Sequence, residues 1–161
     1  MCSLKKIAIC SRSFSRNKIL RAEILSKYDN VIFNDKGLAL NGAGLVDFLH
    51  DATHVISALE TIDDDVLSQL PKLKVISKYG VGLDMIDMDS MRKYGVKLGW
   101  TGGTNKRSVS ELVVSLAISL LRHVPEAHAK ILSGVWCQHI GGQLSGRTVG
   151  IIGCGFVGKD L

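Results

Sequence analysis

The chain has 161 residues, 46% of them hydrophobic and 22% charged, with a formal net charge of +5. This composition excludes a disordered polymer, and the length allows one ordinary domain or a small domain with part of a second. Lys and Arg are scattered except at Lys5-Lys6 and Lys106-Arg107, and aromatics are few. No basic stripe with stacking residues is present, so a nucleic-acid surface is not expected.

Residues 6–10 open the pattern as a β-branched strand. Further apolar runs at 31–34, 54–57, 74–77 and 96–98 read as strands, separated by helical patterns at 17–27, 43–51, 63–70 and 88–94. Alternation at this spacing predicts βαβ units and an α/β, flavodoxin-like domain with a parallel sheet covered on both faces. Asp63-Asp64-Asp65 reads as helix-start chemistry, since first-turn carboxylates complement free N–H groups and the dipole. Asp84, Asp87 and Asp89 do not have the spacing of a calcium loop, and Asp87 or Asp89 can cap the next helix. No metal site is expected.

Thr101-Gly102-Gly103-Thr104 reads as a crossing between domains. Ser108 and Glu111 are spaced as a capping box opening a helix over about 105–122. That helix is apolar around nearly its whole circumference, which predicts burial on several sides, inside a larger domain or against a second copy. Its most apolar stretch, residues 112–121, is too short to cross a bilayer, which needs about 20 residues. Gly134-Val135-Trp136 and Gly141-Gly142 mark a loop-rich passage.

Residues 147–152 read as a buried strand running into Gly153-Cys154-Gly155-Phe156-Val157-Gly158, a G-x-G-x-x-G turn. Gly153 permits the tight turn, Gly155 lets backbone approach a pyrophosphate, and Gly158 allows close helix packing. A following helix would aim its N–H groups at the phosphate. The acidic residue that would hold a ribose, about 20 positions further on, would fall past Leu161. A single strand cannot satisfy its own backbone, so residues 141–161 are expected to be mobile or paired with another chain.

Cys2, Cys10, Cys137 and Cys154 show no C-x-x-C spacing and read as buried, reduced thiols of a cytoplasmic protein. No long apolar region follows the N-terminal basic residues, so a secretory leader is not expected.

The order of features from about Leu73 to Gly158 resembles the D-isomer-specific 2-hydroxyacid dehydrogenases, most closely their phosphoglycerate dehydrogenase branch. The residues that carry the resemblance begin with Lys78-Tyr79-Gly80-Val81-Gly82-Leu83-Asp84-Met85-Ile86-Asp87 and Gly95-Val96-Lys97. They continue through Asn105, Ser108-Val109-Ser110-Glu111-Leu112 and Gly134-Val135-Trp136 to the run from Leu144 to Gly153. The resemblance implies a substrate-side domain over 1–100 and the beginning of a Rossmann NAD-binding domain over 101–161, with a cleft between them. It places the substrate carboxylate on backbone N–H groups of Gly80-Val81-Gly82, and a close backbone nest for an anion suits glycines chemically.

Lys78 is implied as a partner for a substrate phosphate or carboxylate, and Val81 lies toward the nicotinamide. Gly153, Gly155, Phe156, Val157 and Gly158 are implied at the pyrophosphate. The cofactor is NAD, with NADP left open, and the substrate a small 2-hydroxy or 2-keto acid. Two departures stand out: Gly102-Gly103 replaces a usual proline, and Ser110 a usual alanine.

The family's catalytic arginine, glutamate and histidine match no residue here. His50, His54, His123, His128 and His139 all miss the histidine position, and His123 and His128 read as lying near a helix C-terminus, where imidazolium suits the dipole. The chain alone is therefore expected to be inactive. The alternative is a non-catalytic dimerisation or interaction module, and in either case homodimerisation through the 108–121 helix is expected, with no membrane partner.

Overall fold

The computed structural model describes residues 5–161, so Cys2 lies outside the described residues. It divides into two compact units, Met1–Thr101 and Gly102–Leu161. In the first, β1 (Ile7–Ile9), β2 (Val31–Phe33), β3 (His54–Ser57), β4 (Val75–Lys78) and β5 (Lys97–Gly99) form one parallel sheet of order β2-β1-β3-β4-β5. The register sets Ile7 against both Val31 and His54, and Val75 against His54 and Lys97. This is the α/β parallel architecture expected from the alternation of patterns.

The helices of this unit are α1 (Arg12–Arg16), α2 (Lys18–Leu25), α3 (Gly42–Leu49), α4 (Asp64–Ser68) and α5 (Met88–Lys93). Alternation along β1 sends Ile7 and Ile9 to one face and Ala8 and Cys10 to the other. Ala8, Val55 and Ile76 pack with Leu45 and Leu49 of α3, Val66 and Leu67 of α4 and Met91 of α5. Ile7 and Ile9 pack with Phe14 and Ile24. Each large aliphatic side chain so buried contributes about 1.5–3 kcal/mol.

Caps start the helices where short polar side chains precede apolar runs. Asn17 accepts from Ile19 and Leu20 N–H at 3.0 and 3.1 Å, and Asp63 from Val66 N–H at 3.0 Å. Asp87 accepts from Asp89 and Ser90 N–H at 2.9 and 3.3 Å, as its position suggested. Helix α1 was not expected; the Ser11 hydroxyl caps it by accepting from Phe14 N–H at 3.2 Å.

The second unit holds α6 (Lys106–Leu121), α7 (Val124–Leu132) and α8 (Phe156–Asp160). The capping box does not form. Lys106 N–H already bonds Gly103 O at 3.1 Å and Val109 N–H bonds Asn105 O at 3.2 Å, so Ser108 and Glu111 lie inside the helix. Helix α7 is an addition, opened by Pro125 in its first turn, and it puts His128 in mid-helix, correcting its placement near a C-terminus. His123 stands between α6 and α7 with φ +55.

Nor do residues 147–152 form a buried strand: Val149 and Ile152 are 61% and 104% exposed, because no neighbouring strand exists in this unit to take their backbone groups. The all-round burial expected of α6 is also absent within the described residues, where only its Ser110 is buried. Among the described residues no single helix is long and apolar enough to cross a membrane; α6 and α7 pass by length and composition together but are bent by 64°.

Candidate functional site

In the first unit the site is built at the carboxyl end of β4. Tyr79 N–H still follows the sheet, donating to Ser57 O at 2.7 Å. The chain then turns away through Gly80, whose φ of +141° is open only to glycine without strain. Among the described residues, the amides of Gly80, Val81 and Gly82 donate to no protein acceptor, and both glycines are exposed. The turn is nevertheless anchored. Trp100 Nε1 donates to Val81 O at 3.1 Å, and beyond the turn Ile62 exchanges bonds with Met85 O and Asp87 N–H, both at 2.8 Å. The result is a fixed loop with three free donors, the arrangement that binds a carboxylate through backbone.

Lys78 does not point to solvent. Its ammonium donates to Ala58 O, bridging the ends of β4 and β3. Glu60, 7% exposed, folds back so that Oε2 accepts from Ala58 N–H at 2.6 Å. A cavity of about 560 Å³ opens beside these groups, with Ser11, Arg12, Arg16, Ala58, Glu60 and Tyr79 in its walls. Sequence reasoning missed this cavity. Its signal was available in the short polar run Ser11-Arg12-Ser13 directly after a strand. Cys10, buried at the end of β1, has its thiol pushed well above the usual range by burial and then by the Glu60 charge. It is an inert core group.

In the second unit, Gly153 takes φ +87, and Gly155 in extended conformation precedes α8. A methyl on Gly158 would lie 2.6 Å from Gly153 O, so only glycine fits where the helix closes on the turn. Phe156 and Val157 form the first turn of α8, with Phe156 60% exposed. Thus Gly153, Gly155, Phe156, Val157 and Gly158 gather in one turn, as do Lys78, Gly80, Val81 and Gly82 in the other unit.

The cysteines depart from the buried reading. Cys10 is buried, but Cys137 is intermediate and Cys154 exposed on the glycine turn; all three are free thiols. His123, Glu126 and His139, far from any pattern spacing, come together with ligand atoms within 4.8 Å of one another. His123 and His139 stack at 5.1 Å, and Glu126 is held ionised by Lys130 first and His139 second.

The family model for the D-isomer specific 2-hydroxyacid dehydrogenase catalytic domain matches residues 7–156. This chain belongs to that family. It is similar to D-3-phosphoglycerate dehydrogenase of Escherichia coli (strain K12), with 34% identity over 147 residues, 89% of this chain and 35% of that protein. A structure from Polaromonas described as a D-isomer specific 2-hydroxyacid dehydrogenase, NAD-binding, superposes with a TM-score of 0.84 at 28% identity, covering 98% of this chain and 50% of that one. The NAD-dependent formate dehydrogenase of Staphylococcus aureus in complex with NAD gives 0.75 at 25%, covering 96% and 51%. The chain thus spans about a third to a half of the length of these relatives.

Proposed function

We propose that this chain carries the acid-binding turn and the opening glycine turn of an NAD-dependent, phosphoglycerate dehydrogenase-like oxidoreductase acting on a D-2-hydroxy acid. The observation that carries the reading is the anchored Gly80–Gly82 loop with three amides lacking protein acceptors. A 2-keto acid carboxylate would sit on those amides, with Val81 toward the nicotinamide and Lys78 acting on the acid from the strand end only by leaving Ala58 O. Residues 1–100 would form the substrate-side domain and 101–161 the beginning of the NAD domain.

Gly153, Gly155, Phe156, Val157 and Gly158 would hold the pyrophosphate. The residues fit: the turn has φ +87 at Gly153, and the contact at Gly158 leaves no room for a side chain. NAD, when bound, accepts or gives the hydride, and NADP is compatible with the same turn. The chain's own contribution is to bind and orient the acid. The cytoplasm is the compartment proposed, in keeping with three free thiols at Cys10, Cys137 and Cys154.

Turnover also needs a proton donor beside the acid. In the first unit His54 starts β3 and pairs with Val75, at the opposite end of the sheet from Gly80, and His50 contacts Asp51 there. We therefore expect the 161-residue chain by itself to bind a 2-keto acid without reducing it. Heteronuclear NMR with pyruvate tests binding: shifts confined to the Gly80–Gly82 amides are expected, and unmoved amides at millimolar pyruvate refute it. Oxidation of NADH by pure chain and pyruvate would refute the silence.

A second property is favoured by α6. Leu112, Leu116 and Leu120, in line along one face, are 56%, 52% and 71% exposed. We propose that this face pairs with a second copy, which also accommodates a non-catalytic dimerisation role. Sedimentation equilibrium showing only monomer would remove it.

A further inference from the structure

The second unit gathers three metal-ligating side chains, His123, Glu126 and His139. His123 and Glu126 stand three residues apart at the start of α7 and so share a face, and His139 returns to them from the loop beyond that helix. Glu126 Oε2 lies 3.8 Å from His123 Nδ1, and its Oε1 lies 3.7 Å from His139 Nε2. Each oxygen of one carboxylate thus meets a different ring. His123 holds its place against backbone preference, being the one non-glycine with positive φ among the described residues.

His139 carries the clearest sign of a ligand. Its side chain is only 18% exposed, and Nε2 is buried with no hydrogen-bond partner among the described residues. A buried ring nitrogen ordinarily has a partner, because one left without forfeits its solvation for nothing. At 3.7 Å the Glu126 oxygen is too far to hydrogen-bond and close enough to share an ion. Glu126 is held below the ordinary carboxylate range by Lys130 and then by His139, so the ligand is already charged.

We propose that His123 Nδ1, His139 Nε2 and the Glu126 carboxylate form a site for Zn²⁺, with water in the fourth position. The ligand atoms lie within 4.8 Å of one another, and a tetrahedral ion with bonds of about 2.0–2.2 Å sets them about 3.4 Å apart. Both imidazole–carboxylate edges then close by only a few tenths of an ångström. The rings, stacked at 5.1 Å with 21° between their planes, must tilt out of the stack to converge. Two exposed side chains and a loop residue leave room for that. Two imidazoles with one carboxylate suit Zn²⁺, whereas Mg²⁺ and Ca²⁺ need more oxygens. The dipole at the start of α7 opposes a cation, and the Glu126 charge in the same turn offsets it. Lys130 is the resident competitor, with its ammonium 3.2 Å from Glu126 Oε1 and 3.6 Å from Cys137 Sγ, so an ion must displace it. Bound there, Zn²⁺ would clip the loop at residue 139 to the start of α7.

The test titrates the 161-residue chain, first treated with a chelator, with Zn²⁺ by calorimetry and with Co²⁺ by visible absorption. A single Zn²⁺ per chain should bind at sub-millimolar concentration, unaffected by millimolar Mg²⁺, and Co²⁺ should give a tetrahedral spectrum. In long-range ¹H–¹⁵N spectra the ring nitrogens of His123 and His139 should shift, while those of His50, His54 and His128 stay in place. His123→Gln and His139→Gln should each weaken Zn²⁺ by at least about 100-fold, since even the partners of ligands cost 10–100-fold. Lys130→Gln, which removes the competing ammonium, should tighten binding, and Cys137→Ser should leave it unchanged.

No binding at sub-millimolar Zn²⁺ overturns the inference. So does binding that survives both histidine variants, or that falls as far in Cys137→Ser as in His139→Gln, which would assign the metal to thiols. Circular dichroism checks that the variants fold. Should a histidine variant fail that check, the unmodified chain decides: Zn²⁺ binding that leaves the His123 and His139 nitrogens unshifted refutes the site.

Discussion

Replacing Gly80 by alanine isolates the conformational demand of the acid-binding turn. A Cβ at this position would meet only Lys78 Cε, at 3.9 Å, so packing adds no penalty. The whole cost comes from φ +141, a region from which L-residues are nearly excluded, and amounts to about 1–3 kcal/mol. For a unit of this size about 1 kcal/mol corresponds to roughly 5 °C, so Tm should fall by about 5–15 °C. Gly82→Ala is the matched control. It lacks positive φ, and its Cβ would lie 3.4 Å from Asp84 Oδ2, so its cost should stay within about 0.5 kcal/mol. Thermal unfolding by circular dichroism, with Trp100 fluorescence as a reporter through its bond to Val81 O, measures both. Should Gly80→Ala relieve its strain by flipping the turn, Tm will change less, but the pyruvate-induced amide shifts will vanish. Equal melting of the two variants with intact pyruvate response would refute the reasoning.

Asp63→Ala removes the bond to Val66 N–H that starts α4 and should cost about 1 kcal/mol in urea unfolding, with Asp63→Asn restoring most of it. Asp87 is held below its ordinary value of 3.8 by the Ser90 hydroxyl and then by the Ser90 and Asp89 amides. Its contribution is therefore complete above that ordinary value and is lost as pH falls through the lower folded one. Asp87→Asn, which keeps an acceptor but not the charge, should flatten that part of the acid limb in a melting series from about pH 5 to pH 2. Thiol labelling by a chromogenic disulfide should modify Cys154 rapidly and Cys10 only on unfolding, since Cys10 is buried with its thiol pushed up; fast labelling of Cys10 in the native state would contradict the packing.

Much of the first unit was legible in the residues. All five strands lie within a residue of their expected ends, because β-branched runs between turn residues have few alternatives. Helices α2, α3, α4 and α5 were legible to within about two residues from their apolar spacing, and α4 and α5 also from the aspartates that cap them. Helix α1 was not, for its five residues hold too little periodicity to show. The capping box misled because a turn at Gly103–Asn105 starts α6 earlier than its side chains suggest. The strand at 147–152 had the right residues but no neighbour: propensity alone does not close a ladder.

For the site, the glycines and their spacing announced two backbone turns, since φ above zero and close contacts are demands on residue type. Which polar groups stand beside them was not announced. Arg12, Arg16, Glu60 and Tyr79 sit on three different strand ends, and they meet only because the sheet places β1 beside β3 and β3 beside β4. Local chemistry is written along the chain one residue at a time, whereas a pocket is a property of strand order, settled by which pairings bury the most apolar surface together.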